Sequence, residues 1–262
     1  MNNDMFDSQS DVTVVLTSCN RLDLLKETLE SFFSCNTYPI NEFILIEDSG
    51  KITSQEIKEC IPQPFQESVS IIINKTPLGQ LKSIDKAYAN IKTKYVFHCE
   101  DDWLFYRGDF IEDSKKVLEN DKHILSVWLR DYHHDLQSAT GGTISLEGRQ
   151  TVEEISYNRV HFEIEGNACF SLNPGLRYYE HYPEQGYGSL AGNKATHIET
   201  IMSHFFDSKG FYSVLLEKSA VKHIGWDDHT VDPIFLRKVR FRRLVLASAI
   251  FAFGFIAGAI LF

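Results

Sequence analysis

Short apolar runs alternate with helical patterns over the first hundred residues, and this alternation restricts the fold more than any other feature. The runs have the length and the β-branched or aromatic content of buried strands. They are 12–16, 43–46, 69–73 and 95–99, with helical patterns from Asp23, from Ser54 and from Gln80 between them. Strands separated by helices form βαβ units, so the sequence predicts an α/β fold with a parallel sheet.

Polar clusters follow three of these strands. They are the segment Thr17–Arg21, the segment Glu47–Ser49 and the acidic triplet Glu100-Asp101-Asp102. Ligands of such sheets bind beyond the carboxyl ends of the strands, which predicts a binding site there. No GxGxxG or GxxxxGK[ST] pattern follows a strand. A dinucleotide fingerprint and a P-loop are therefore not supported.

The pattern after Trp103 is mixed. Helices are predicted over 109–120, 174–180 and 199–209, strands over 124–129 and 211–216, and a loop or hairpin over 131–149. No internal repeat or linker divides this part from the first. One domain is therefore expected over residues 1–236.

Charge and cysteine content exclude several classes of protein. The formal net charge is -10, although five of the 26 basic residues cluster at 237–243. Such an acidic body argues against nucleic-acid binding, which needs cations to neutralise phosphates. The five cysteines are scattered without a CxxC pair, which argues against a disulfide framework or a zinc site. Residues 1–10 lack the features of a signal peptide.

The C-terminal run 244–262 carries no charge and follows the basic segment 237–243. Its 19 residues would span about 28 Å as a helix, close to the apolar thickness of a bilayer. We therefore expect one transmembrane helix, a single-pass C-terminal anchor, with the preceding domain in the cytosol beside these cations. The segment GFIAG has the small-xxx-small spacing of packed membrane helices, which suggests a homodimer through this helix.

Three consecutive carboxylates repel one another unless a cation lies between them. Hard oxygen ligands at a strand end suit Mg²⁺ or Mn²⁺, and such ions keep coordination positions for substrate phosphates. The triplet at 100–102 is therefore a candidate metal site. The alternative is an acidic turn that is simply solvated.

Four segments resemble, in order and spacing, the family 2 glycosyltransferases with the GT-A fold. They are VTVVLTSCNRLDLLKETLESF, FILIEDSG, NKTPLGQLKSIDKAY and YVFHCEDDW, within residues 11–103. GNACFSLNPGLR, THIETIMSHFF and VKHIGW match the family more loosely. The resemblance implies a Rossmann-like mixed sheet flanked by helices, a nucleotide-sugar donor and a Mn²⁺ or Mg²⁺ cofactor.

The resemblance also implies roles for individual residues. Those that would face the nucleotide are Thr17, Asn20, Arg21, Asp48, Gly79, Gln80, Glu100 and Asp101. Asp102 and His223 would bind the metal, with His229 as the alternative histidine. Other interpretations remain open, since Asp48 could cap a turn, Arg21 could pair with Asp23 and Gly79 could be a turn glycine.

An inverting transfer needs a base to take the proton of the acceptor hydroxyl. In the family this base is an acid near the start of a helix in the second half, which Glu199 matches. The helix N-terminus favours its ionised form, although acids are common at that position for the same reason. Glu165, Glu180 and Glu184 are alternatives. Asn173, Arg177 and Trp103 are candidates for the acceptor side.

The expected activity is metal-dependent transfer of a sugar, with inversion, to a hydroxyl of a glycan or lipid-linked acceptor at a membrane. A second hypothesis is a sugar nucleotidyltransferase, but TSCNRLD lacks the Gly-rich basic loop of that class. A third is a membrane-tethered protein that binds a sugar nucleotide without catalysis.

Overall fold

The structure is a computed structural model that describes residues 5–140, 143–162, 170–192 and 198–226. Met1–Gly225 form one compact unit. Within the described ranges, no helix combines the length and the apolar character that crossing a bilayer requires. The predicted basic segment 237–243 and the predicted membrane helix 244–262 lie outside those ranges.

The first half forms the predicted parallel sheet. Its strands are β1 (Val12–Ser18), β2 (Glu42–Glu47), β3 (Val69–Ile73) and β4 (Tyr95–Glu100). Its helices are α1 (Leu22–Cys35), α2 (Ser54–Cys60) and α3 (Gln80–Tyr88), with a 3₁₀ turn at Gln63–Phe65. The spatial order is β3-β2-β1-β4, with every neighbour parallel. All four predicted strands are confirmed.

The second half extends this sheet to nine strands in the order β3-β2-β1-β4-β9-β6-β10-β8-β7. Its strands are β5 (Trp103–Phe105), β6 (Ile124–Trp128), β7 (Ile144–Val152), β8 (Ile155–Phe162), β9 (Gly175–Tyr178), β10 (Tyr212–Leu216) and β11 (Val221–His223). Its helices are α4 (Phe110–Asn120), α5 (Gln137–Ala139), α6 (Gly186–Ala191) and α7 (Ile198–Asp207), with a π-helical turn at Tyr132–Leu136 and a 3₁₀ turn at Tyr179–His181. β5 and β11 form a separate two-stranded sheet.

One prediction for the second half was wrong, and another was confirmed only in part. The segment predicted as a helix over 174–180 contains strand β9, which is antiparallel to both β4 and β6. Gly175 allows this close pairing, because a Cβ atom there would lie 2.5 Å from the Val127 carbonyl oxygen. The segment predicted as a loop or hairpin over 131–149 does contain the start of the β7–β8 hairpin, but it also contains the π-helical turn and α5.

Alternate residues of the central strands face two different cores. Val14 and Leu16 of β1 pack with Leu29 and Phe32 of α1 on one face of the sheet. Val15 packs on the other face, in a cluster that includes residues of α3, α6 and α7. This period of two is what a strand buried on both faces requires. With apolar residues fixing both faces, the polar residues at the strand ends are left at one edge of the sheet.

Candidate active site

The first loop of the site follows β1 and is held by a residue of the neighbouring strand. Asn20 adopts a positive φ of 56°, which is uncommon for a residue with a side chain. Its backbone N–H donates to Glu47 Oε1 at 2.9 Å, while Glu47 Oε2 accepts from the Ser49 N–H at 3.0 Å. Glu47 is fully buried. This carboxylate therefore ties the end of β2 to the loop after β1.

Asp48 organises the turn that begins α3. Its Oδ1 accepts from Asn74 Nδ2 at 2.8 Å and from the Leu78 N–H at 2.7 Å, and its Oδ2 accepts from the Gly79 N–H at 2.8 Å. Gly79 has a φ of 85°, which favours glycine. Asp48 thus stabilises the turn at Leu78 and Gly79, which is distant in sequence, rather than the adjacent turn at Ser49 and Gly50. Its contact to a nucleotide remains a prediction.

Arg21 bridges two acids of the triplet. Its guanidinium donates to Asp101 Oδ1, and through Nη1 to Asp102 Oδ2 at 2.8 Å. Asp101 Oδ2 also accepts from Ser18 Oγ at 2.8 Å and from the Cys19 N–H at 3.2 Å. Both aspartates are buried. Arg21 therefore pairs with these acids rather than with Asp23 on the surface.

Glu100 faces a different part of the site. Its Oε1 accepts from Gln80 Nε2 at 2.5 Å, so the predicted residues Gln80 and Glu100 do lie together. Burial, Asp102 and Glu199 raise the pKa of Glu100 well above its usual range. This mutual repulsion means that Glu199 lies near enough to the triplet to act at the same site.

The pKa values of the two aspartates shift in opposite directions. Burial raises the pKa of Asp101, with Arg21 opposing it and Asp102 adding to it. Burial would also raise the pKa of Asp102, but the hydrogen bond from His223 and the charge of Arg21 outweigh it and lower this pKa. Asp102 is therefore held as a carboxylate, which is the form that binds a metal ion.

The segment after β11 completes this side of the site. His223 Nε2 lies 3.3 Å from Asp102 Oδ2, and the Ile224 N–H donates to the Asp102 carbonyl oxygen at 2.9 Å. Gly225 lies so close that a Cβ atom there would be 2.7 Å from Asp102 Oδ2. The predicted pair Asp102 and His223 is thus brought together, although the residues are far apart in sequence. His229 lies outside the described residues.

These residues fit a divalent cation in part. Asp102 Oδ1 is buried and has no hydrogen-bond partner in the structure. Among the described residues, no three His, Cys, Asp or Glu side chains are grouped as metal ligands. Asp102 and His223 would thus supply two ligands, and substrate phosphates would have to supply others, as is usual for Mg²⁺.

Glu199 lies in the first turn of α7 and lines a cleft of about 520 Å³ together with Gln80, Glu100, Asn173 and Thr200. Its Oε1 accepts from Ser171 Oγ at 3.0 Å and from the Leu172 N–H at 2.8 Å. The side chain is nevertheless exposed. Glu199 is therefore fixed in position while it faces the cleft, as a general base must be.

The alternative bases are less well placed. Glu180 and Glu184 are exposed, and neither is among the residues that line the cleft. Glu165 lies outside the described residues. Among the acids considered that lie in the described part of the chain, only Glu199 lines the cleft.

The three acceptor-side candidates lie in different surroundings. Asn173 lines the cleft. Arg177 is 4% exposed and donates through Nη2 to the Ser171 carbonyl oxygen at 3.0 Å, so it supports the segment that holds Glu199. Trp103 is 1% exposed, which leaves no ring face for a sugar to stack on. The structure thus does not place Arg177 or Trp103 in contact with an acceptor.

Glu47 was recognised from the sequence only as part of the strand-end cluster Glu47–Ser49, without a role of its own. Two further contributors to the site did not emerge from the sequence. Nothing in the local sequence marks Ser171, because its role is to donate a hydrogen bond to Glu199, which is distant in sequence. The ion pair between Arg130 and Asp135, which borders the site, likewise depends on tertiary structure. The remaining nucleotide candidate, Thr17, is buried near the end of β1 opposite Glu100 of β4.

Comparisons with known proteins concern the family and the fold of the chain. The family model described as glycosyl transferase family 2 matches residues 13–173. The crystal structure of S. aureus TarS 1-349 superposes with a TM-score of 0.50 at 13% identity, covering 81% of this chain and 59% of that one. The mannosyltransferase PcManGT from Pyrobaculum calidifontis, in complex with GDP-Man and Mn²⁺, has a TM-score of 0.41 at 17% identity. That match covers 49% of this chain and 38% of the mannosyltransferase chain.

The chain thus spans less than two thirds of either solved chain. No curated protein matches the sequence at a significant level. At these identities the likeness to solved structures concerns the fold, which is a mixed α/β, Rossmann-like sheet flanked by helices.

Proposed function

Because the chain belongs to glycosyl transferase family 2, we propose that it transfers one sugar, with inversion, from a nucleoside-diphosphate sugar to an acceptor hydroxyl. One observation carries the proposal. Glu199, held by Ser171 and Leu172, faces Glu100 and Gln80 across the cleft of about 520 Å³. A candidate base thus lies across a cleft of suitable size from the strand ends where a nucleotide would bind.

The side chains have distinct parts in this reaction. Glu199 accepts the proton of the acceptor hydroxyl as that oxygen bonds to the anomeric carbon. The bond from this carbon to the diphosphate breaks at the same time, and the diphosphate leaves with the electron pair. Arg21 offsets the charges of Asp101 and Asp102, so it lowers the repulsion between these aspartates and the leaving diphosphate. Asp102 and His223 would hold Mn²⁺ or Mg²⁺, which supplies further positive charge there.

Membrane attachment is part of the same proposal. The uncharged run 244–262 behind five cations supports an anchor, with the catalytic unit on the cytosolic side. An anchored transferase suits a membrane-bound acceptor, such as a lipid-linked glycan. GFIAG supports a dimer through this helix.

A donor panel tests the activity. The full-length chain is incubated with nucleoside-diphosphate sugars and Mn²⁺, and released nucleoside diphosphate is measured. We expect metal-dependent release, and a loss on the order of 100-fold or more in Asp102→Ala and in Glu199→Gln. Glu180→Gln is the matched control, because Glu180 is an exposed acid away from the cleft, and it should retain full activity.

Other outcomes would contradict the proposal. Release of pyrophosphate from a nucleoside triphosphate and a sugar phosphate would indicate a nucleotidyltransferase. Nucleotide binding without turnover of any donor would indicate a binding protein. Full activity of Glu199→Gln would exclude this residue as the base.

A further inference from the structure

A second cavity, of about 190 Å³, shares Asn173, Glu199 and Thr200 with the cleft. The two cavities therefore meet at the candidate base. If the nucleotide sugar occupies the cleft beside Glu100, the second cavity lies where an acceptor can reach the same carboxylate. We call this cavity the neutral pocket.

The neutral pocket has an apolar floor and a polar rim. The floor is formed by Trp128, Leu136, Ile144 and Phe170, each of which is at most 3% exposed. The rim on α7 carries polar side chains that are more exposed, namely Thr200, Ser203 and His204. A pyranose ring has the matching division, since its C–H groups suit apolar and aromatic surface and its hydroxyls need polar partners.

The cation in the wall of this pocket is already neutralised. Arg130 Nε and Nη2 each donate to an oxygen of Asp135 at 2.8 Å, and Arg130 Nη1 lies 3.5 Å from Asn173 Oδ1. Because the charge of Asp135 offsets that of Arg130, this guanidinium attracts an anionic ligand only weakly. Of the described residues, no cation lies within 4.0 Å of the Glu199 carboxylate. An anionic ligand would thus be repelled at the mouth of the pocket.

We propose that the neutral pocket binds the sugar residue of the acceptor that carries the attacking hydroxyl, and that this residue is an uncharged monosaccharide unit. This inference rests on the proposed function, since it assigns the acceptor to the same base. The cavity volume of about 190 Å³ suits one pyranose ring rather than several. Uronic acids and sugar phosphates are excluded as the reacting residue.

Binding tests the location of the site without requiring turnover. Saturation-transfer NMR is recorded on the full-length chain with Mn²⁺ and either UDP or GDP, using the methyl pyranosides of glucose, galactose, mannose and N-acetylglucosamine as probes. We expect at least one probe to bind. Ile144→Phe fills the pocket and should weaken this binding at least tenfold. Ile155→Phe is the matched control, because it places the same change in a separate cavity of about 250 Å³.

Leu136→Phe fills the same pocket from another element. It replaces Ile144→Phe in this test if that variant does not fold. Failure of every neutral probe to bind the unaltered chain would overturn the proposal. Unchanged binding in both pocket-filling variants would also overturn it. Probe binding without turnover of any donor would instead contradict the proposed function, so the two failures are distinguishable.

Charge selectivity tests the class of sugar. The methyl glycoside of glucuronic acid and glucose 6-phosphate should bind the unaltered chain at least tenfold more weakly than the best neutral probe. Asp135→Asn leaves Arg130 without its counter-charge, so it should strengthen binding of both anionic probes. Neutral probes should not bind this variant more tightly, because their binding does not depend on the charge of Arg130. Equal or tighter binding of an anionic probe to the unaltered chain would overturn the proposal.

Discussion

At the level of single residues, Arg21 has the largest effect on the charge balance around Asp101 and Asp102. Its guanidinium pairs with both Asp101 and Asp102, so one cation offsets two buried negative charges. Removing one partner of a buried pair leaves an uncompensated charge, which is costly. The remaining acceptor, Asp102 Oδ1, has no partner in the structure. We therefore expect a metal ion to bind this oxygen together with the diphosphate rather than before it.

His98 is a buried residue that the proposed chemistry does not use. It lies in β4, is fully buried, and neither ring nitrogen has a hydrogen-bond partner in the structure. Burial, and next to it the charge of Arg177, lower the pKa of His98 well below its usual range. The imidazole is therefore neutral in the folded chain, although it takes up a proton in the unfolded chain below about pH 6.5.

His98→Leu should stabilise the protein. At pH 7 it removes two buried unsatisfied nitrogen atoms, for a gain of about 1–2 kcal/mol in the free energy of unfolding. Because the pKa of His98 is lower in the folded chain than in the unfolded chain, this residue lowers the free energy of unfolding further as the pH falls below 6.5. The advantage of the variant should then grow by up to about 1.4 kcal/mol per pH unit. Urea unfolding at pH 7 and pH 5 measures both effects.

His133→Leu is the control for this prediction, because His133 is exposed in the π-helical turn. It makes the same replacement outside the core, so it should not give the gain in stability at pH 7 that is expected of His98→Leu. A His98→Leu variant that is less stable at pH 7, with the pH dependence of the unaltered chain, would contradict the prediction.

At the level of elements, a polar cluster joins three segments around the start of β1. Lys115 of α4 donates to Asp11 Oδ2 at 2.7 Å and to the Tyr38 hydroxyl at 2.8 Å. Tyr38 donates in turn to Asp11 Oδ1 at 2.9 Å. Burial alone would raise the pKa of Asp11, but these hydrogen bonds outweigh it and lower this pKa. The cluster therefore stabilises the fold while Asp11 is ionised.

Asp11→Asn should destabilise the chain by about 1 kcal/mol or less at pH 7, because both charged partners are partly solvated. Since the folded-state pKa of Asp11 is lowered, its contribution is complete above about pH 4 and is lost as the pH falls through the folded value. The difference between the melting temperatures of the two proteins should thus shrink in acid. Glu30→Gln is the control, since the Lys26–Glu30 pair is exposed at 4.0 Å. A difference that grows in acid would refute this assignment.

The elements also explain which parts of the fold the sequence could predict. The strands of the parallel half have apolar residues on both faces, so each one is recognisable locally. Strand β9 is not, because what makes it a strand is pairing with β4 and β6, which lie about 80 and 50 residues earlier. The tertiary context overrode local propensity there.

The same distinction holds within the site. Clusters at the ends of neighbouring parallel strands must meet, so Arg21 could be predicted to lie near the triplet at 100–102. The bonds from Ser171 to Glu199 and from Arg130 to Asp135 bring together side chains whose local sequence carries no corresponding signal. Burial of Trp103 likewise follows from packing beneath His223 and Arg130 rather than from its neighbours in sequence.

At the scale of the whole molecule, the proposed anchor leads to a prediction about location. The full-length chain, expressed in cells, should sediment with membranes and be released by detergent but not by salt, because a membrane-spanning helix does not depend on charge. Deletion of residues 237–262 should move it to the supernatant. This deletion lies outside the compact unit Met1–Gly225, so donor turnover should persist.

A variant with the cations of 237–243 replaced by serine is the control, since it retains the apolar run and should remain with the membranes. Release of the full-length chain by salt alone would show attachment through charge instead. A full-length chain found in the supernatant would contradict the anchor itself.

Strand β9 separates two groups of strands within the one large sheet. On one side lie the parallel strands that end in Glu47 and Glu100, and on the other lie β6, β10 and then the β7–β8 hairpin, which borders the neutral pocket. Replacements in the hairpin therefore change few contacts in the parallel strands. If the neutral pocket binds the acceptor as proposed, exchange of the hairpin should change which acceptor is used while the strand ends expected to bind the donor stay the same.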